Sequence, residues 1–129
     1  MMLVYLSLTG NVENFVERVG MKSVKLDHSN PFIEVNEDFI LVTPTYNDDL
    51  TDTVSDFVDN GNNLNHLIGF VGSGNRNFDQ SFCFSAKDLS NKYSKPLIFT
   101  FEFSGTDYDI IEFKKEVEKV EIAGTKQKG

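Results

Sequence analysis

A chain of 129 residues, 40% of them hydrophobic, suffices for one compact domain with a sizeable core. Its 20 acidic and 12 basic side chains give a net charge of −8, which argues against non-specific attraction to nucleic acid or an anionic membrane. The single cysteine, Cys83, excludes an intrachain disulfide, no apolar run approaches the roughly 20 residues that span a bilayer, and the first six residues do not resemble a signal peptide, so a cytoplasmic protein is expected.

Residues 3–6 form a short, nearly continuous apolar run, the pattern of a strand buried on both faces. Val12, Phe15, Val16 and Val19 follow at i, i+3, i+4, i+7, and Gly20 stands where a helix end favours a residue tolerant of positive φ. Residues 23–26 and 39–42 predict the second and third strands, and Val54, Phe57 and Val58 a helix over 53–59. The fourth strand is expected at 67–71. Phe82, Ala86, Leu89 and Tyr93 align on a helix over 81–93, and a fifth strand is expected at 97–101. Ile110, Phe113, Val117 and Val120 form the stripe of a last helix over 107–121, its other faces covered by Glu and Lys. Residues 1–124 then make one domain, and 125–129 read as a flexible tail. Strands alternating with helices imply an α/β fold, a parallel sheet with helices on both faces.

In such a sheet, ligands sit beyond the C-terminal ends of the strands. The segments expected there are "SLTGNV", "TPTYNDDL", "GSGNRNF" and "FSGTD", all rich in small or polar residues. Connections at the opposite edge, such as "DNGNNLNH", read as surface turns. The first segment feeds a helix with hydroxyl, amide and backbone N–H donors at the positive end of the helix dipole, an arrangement suited to an anion such as phosphate. "LTGNVEN" lacks the Lys-Ser/Thr pair of a nucleotide-hydrolysing P-loop. Gly72 and Gly74 begin a G-x-G-x-x-G pattern, but Asn77 stands where the third glycine should be. A terminal phosphate monoester held by neutral donors fits these residues.

The segment "SLTGN" resembles the phosphate loop of flavodoxins, with Val12 where many of them carry a further Thr. The conjunction of "GSGNRNF" with "AKDLSNKY" and then "KPLIFTFEFSGT" is similar, more specifically, to the NrdI family of flavodoxin-like accessory proteins of class Ib ribonucleotide reductase. The resemblance implies a flavodoxin-like three-layer fold with a five-stranded parallel sheet in the order 2-1-3-4-5, and FMN as cofactor. It implies that Ser7, Leu8, Thr9, Gly10, Asn11 and Val12 hold the phosphate, while Thr43, Pro44, Thr45 and Tyr46 line one side of the isoalloxazine. Ser73, Gly74, Asn75, Arg76, Asn77 and Phe78 would line the other. Tyr46 and Phe78 are the candidate ring contacts; alternatively, Tyr46 is a half-exposed loop aromatic and Phe78 a core residue.

The family often places glycines after the third strand, whereas "TYNDDLTD" has none, so Asn47 or Asp48 would have to take any positive φ. Asp48 and Asp49 would disfavour an anionic reduced flavin if they lie near it rather than in water. Cys83 reads as a small buried hydrophobe in the helix after the flavin loop. His28 and His66 lie in connections without a third ligand at metal spacing, so no protein-bound metal is expected. Arg76 is either a partner or flavin contact or a clamp on its own loop.

The favoured function, by resemblance, is an accessory redox flavoprotein without a substrate of its own. In reduced form it would react with oxygen and supply superoxide or a related oxidant to assemble the dimanganese-tyrosyl radical cofactor of the class Ib ribonucleotide reductase small subunit, an NrdF-like partner. A flavodoxin reductase-type protein is a possible electron donor. The alternatives are a general flavodoxin-type electron-transfer protein with another partner, and a flavin-free interaction module.

Overall fold

The opening apolar run becomes strand β1 (Met2–Tyr5), buried throughout. Because successive side chains of a strand point to opposite faces, Met2 and Val4 enter one core while Leu3 and Tyr5 enter another. The computed structural model describes residues 1–45, 48–75 and 83–128. The chain continues through α1 (Asn11–Val19), β2 (Ser23–Lys25), β3 (Phe39–Pro44), α2 (Asp48–Asp59) and α3 (Asn63–His66). It ends with β4 (Leu67–Gly74), α4 (Phe84–Tyr93), β5 (Leu97–Glu102) and α5 (Asp107–Lys128). The strands form one parallel sheet in the order β2-β1-β3-β4-β5, as the resemblance implied.

Each face carries its own core. Val12, Phe15, Val16 and Val19 of α1 meet Ile110, Phe113 and Val117 of α5 on one face, where the Phe15 and Phe101 rings stack at 3.8 Å. Val54, Phe57 and Val58 of α2 and Leu89 of α4 cover the other, with Phe57 edge-on to Phe39 at 5.5 Å. Among the described residues six phenylalanines are fully buried, three in each core. Each contributes about 1.5–3 kcal/mol by leaving water.

Four helices depart from the sequence reading. Helix α2 starts at Asp48, ahead of the expected residue 53, so Asp48 is helical and does not take a positive φ; Asn47 lies outside the described residues. Helix α3 occupies the stretch read as a surface turn, and its Asn63 is fully buried. The Asn63 amide accepts from the Val35 N–H at 3.0 Å and donates to the carbonyls of Ile33 at 2.8 Å and Phe57 at 2.7 Å, so a residue type that usually marks a turn here ties three segments together. Helix α4 begins at Phe84, with Cys83 as its left-handed N-cap at φ 54 and fully buried; Ser81 and Phe82, at the expected start, lie outside the described residues. Helix α5 extends its backbone to Lys128, through the segment read as a tail.

Strand β4 also runs beyond residue 71, so Gly72, Ser73 and Gly74 belong to the sheet rather than to the loop after it. A Cβ at Gly72 would stand 2.7 Å from the Ala86 Cβ, and the missing side chain lets α4 lie close against β4. Among the described residues no helix is long and apolar enough to cross a membrane.

Candidate functional site

With five parallel strands, the chain leaves the same sheet edge after β1, β3, β4 and β5, and those exits surround one cavity of about 270 Å³. Leu8, Thr9, Asn11 and Val12 line it from the β1–α1 segment. Pro44 and Thr45 contribute from the end of β3, and Ser73, Gly74 and Asn75 from the end of β4. Phe103, which follows β5, lines it as well. Among these there is no charged side chain.

The β1–α1 segment is shaped by its cap. Gly10 takes φ 91 as the N-cap of α1, and a Cβ there would meet nothing within 4 Å, so the requirement for glycine is conformational rather than steric. Of the first N–H groups of α1, that of Glu13 is taken by Ser7 Oγ at 3.3 Å. Those of Asn11 and Val12 have no intrahelical acceptor by their position. Since the Ser7 hydroxyl only accepts in this contact, its hydrogen remains able to donate. Thr9 adds an exposed hydroxyl. This end of the cavity therefore offers donors at the positive end of a helix dipole, suited to a phosphate and differing from the lysine-based cradle of a nucleotide hydrolase.

The remaining walls are fastened by hydrogen bonds across the strand ends. Thr45 Oγ1 donates to the Ser73 carbonyl at 2.9 Å, and Ser73 Oγ donates to the Phe103 carbonyl at 2.6 Å. The Phe103 N–H donates to the Gly74 carbonyl at 3.0 Å, carrying the β4–β5 pairing past Glu102. Arg18 of α1 donates to the carbonyls of Ser104 and, at 2.8 Å, Gly105, while Ser104 Oγ donates to Asn11 Oδ1 at 2.9 Å. The segment after β5 is thus bound to the start of α1 and to the end of β4.

Nine of the sixteen site residues expected from the sequence line this cavity: Leu8, Thr9, Asn11, Val12, Pro44, Thr45, Ser73, Gly74 and Asn75. Ser7 and Gly10 shape the α1 terminus beside it. Thr43 is fully buried, with its hydroxyl directed to the Pro44 carbonyl at 3.2 Å, and supports the wall without lining it. Tyr46, Arg76, Asn77 and Phe78 lie outside the described residues. Phe103 was not among the expected residues. Its segment, "FSGTD", was assigned to this edge, but a phenylalanine after an apolar strand reads as one more core residue.

On the β2 side a second cavity, of about 430 Å³, shares Ser7 and Leu8 with the first segment and is also lined by Lys25, Asp27 and His28. Its polar groups are engaged: Lys25 pairs with Glu13 at 3.3 Å, and His28 Nδ1 lies 3.3 Å from Thr53 Oγ1. The Ser29 N–H and hydroxyl hold the Asp27 carboxyl below its usual range. Nearby, burial first and then the Glu13 carboxylate push the Tyr5 hydroxyl up, so it stays protonated.

The NrdI flavodoxin-like family model matches residues 3–115. The protein NrdI of Bartonella tribocorum is 37% identical over 120 residues, covering 89% of this chain and 91% of the relative. That of Wigglesworthia glossinidia brevipalpis is 35% identical over 125 residues, covering 91% and 88%. A short-chain flavodoxin associated with a bacterial microcompartment superposes with a TM-score of 0.62 at 17% identity, covering 95% of this chain and 96% of that one, a likeness of fold.

Proposed function

The chain belongs to the NrdI flavodoxin-like family, which implies a flavin cofactor, and on that premise we propose that it binds FMN in the cavity at the sheet edge and serves a class Ib ribonucleotide reductase. The observation that carries the reading is one cavity that joins hydrogen-bond donors at the start of α1 to apolar surface from Leu8, Val12, Pro44 and Phe103. A phosphate monoester joined to a flat, partly apolar ring matches both. Ser7, Thr9 and the backbone of Gly10, Asn11 and Val12 hold the phosphate, Thr43, Pro44 and Thr45 form or support one wall, and Ser73, Gly74 and Asn75 form another. Tyr46, Arg76, Asn77 and Phe78 are retained as expected contacts from the sequence.

Bound and reduced, FMN supplies electrons to dioxygen, and the resulting superoxide or related oxidant serves assembly of the dimanganese-tyrosyl radical cofactor in the reductase small subunit. The protein's own residues would bind and orient the flavin at the sheet edge, where a partner can cover it. The docking surface is expected from the sequence at residues 46–50 and 74–78, beyond the buried Ser73, with a flavodoxin reductase-type protein as electron donor, all in the cytoplasm.

Two experiments test this reading. Thr9→Val removes a hydroxyl donor to an anion, an interaction of about 1.5–3 kcal/mol. It is expected to weaken FMN by tenfold or more and riboflavin far less; equal losses would remove the phosphate from this loop. Mixing the reduced protein with the manganese-loaded small subunit of the same organism and oxygen is expected to produce a tyrosyl radical signal in electron paramagnetic resonance. Absence of that signal, with efficient electron delivery to an unrelated acceptor, would indicate a general electron carrier. A purified protein unable to take up flavin would be an interaction module instead.

A further inference from the structure

Phe103 combines three properties that seldom coincide. Its backbone lies at φ 53, in the left-handed region that a bulky L-residue avoids, its side chain is 50% exposed, and it lines the cavity at the sheet edge. A phenylalanine half in water gains little from burial, and a left-handed backbone costs about 1–2 kcal/mol. For folding alone, glycine would suit this position better.

The conformation is nevertheless held on every side. Phe103 donates its N–H to Gly74 and accepts at its carbonyl from Ser73 Oγ, the Gly105 N–H donates to the Glu102 carbonyl at 2.8 Å, and Arg18 holds the next two carbonyls. Strain that the surroundings over-determine at a cavity wall points to a side chain kept for what it touches. A single exposed aromatic needs no explanation by itself; a strained, fastened one at the cavity does.

Resting on the FMN reading above, we infer that Phe103 is a flavin-binding residue, an aromatic wall that contacts the isoalloxazine from the β5–α5 segment. The cavity lining suits a planar, partly apolar guest here, because Ser73 and Gly74, which line the same cavity and are hydrogen-bonded to Phe103, are small. The phosphate donors belong to a different segment, that of Thr9 and Asn11, so loss of the Phe103 ring acts on the part that FMN and riboflavin share.

The test is titration of the apoprotein with FMN and with riboflavin, followed by flavin fluorescence, together with visible circular dichroism of the bound flavin. Phe103→Ala is expected to weaken both ligands by a similar factor, roughly tenfold, from the loss of aromatic contact and apolar burial. It should also change the dichroism of the bound flavin, whereas Phe103→Tyr should keep affinity and spectrum near those of the unaltered chain. Phe103→Gly, which suits φ 53, should melt at or above the temperature of the unaltered apoprotein while binding flavin as weakly as the alanine variant, which separates binding from folding. FMN affinity within twofold of the unaltered protein, with an unchanged spectrum in the alanine and glycine variants, overturns the inference and leaves the FMN reading standing. Failure of the unaltered chain to bind FMN overturns both.

Discussion

Two segments at the same sheet edge solve the same geometrical problem with opposite means. The turn into α1 places glycine at its left-handed position, Gly10, and surrounds it with open space. The turn into α5 places phenylalanine at one left-handed position and glycine at another, Phe103 and Gly105, and fastens both into their surroundings. A Cβ at Gly105 would stand 3.0 Å from Phe15 Cδ2, in the aromatic stack with Phe101. The difference teaches that strain is tolerated where hydrogen bonds and packing leave the backbone no alternative, and is avoided where the chain is free to relax. The first segment is built to leave donors unpaired, the second to hold a wall still.

The largest effect is expected at Gly105. Gly105→Ala adds steric conflict with Phe15 to a φ of 76, and should cost about 3 kcal/mol, read as a lower urea midpoint with an unchanged slope. Arg18→Met comes next. It keeps the apolar stem but removes the charged donors to the Ser104 and Gly105 carbonyls, for a loss of about 2 kcal/mol. Hydrogen exchange of the Gly105 amide should quicken in this variant, and unaltered exchange would show that Arg18 does not restrain the segment.

Gly10→Ala is expected to cost only about 1 kcal/mol, because the penalty is conformational alone. A loss equal to that of Gly105→Ala would erase the distinction between the open and the fastened turn. The smallest effect lies on the β2 side of the first segment, at Asp27. Its folded pKa is below the ordinary 3.8, so the hydrogen bonds from Ser29 contribute fully above that value and are lost as pH falls through the lower, folded one. Ser29→Ala removes the hydroxyl donor and keeps the N–H, and should move the Asp27 titration part of the way back toward 3.8 in a carboxyl NMR experiment. A titration that stays in place would assign the whole effect to the backbone donor.

The alternation of strands and helices was legible in the chain because local patterns encode it. The i, i+3, i+4, i+7 spacing of Val12, Phe15, Val16 and Val19 marks α1, and continuous apolar runs mark strands buried on both faces. The turn into the first helix was legible too, since Thr9 and Gly10 precede the helix that Asn11 opens. Composition misled where a local preference gave way to distant partners. Asn63 has turn chemistry but is buried by bonds to Val35, Ile33 and Phe57, and Gly72 and Gly74, which read as loop, complete a strand by pairing with β5, where Gly72 also lets α4 lie close. Phe103 is the furthest case. By itself the sequence determined that an aromatic follows the fifth strand; only the tertiary structure decided that it stands at a cavity, half exposed and left-handed. Its conformation is set by Ser73, Gly74 and Arg18, residues brought to it by the parallel sheet and the packing of α1 beside α5, and no local pattern records their arrival.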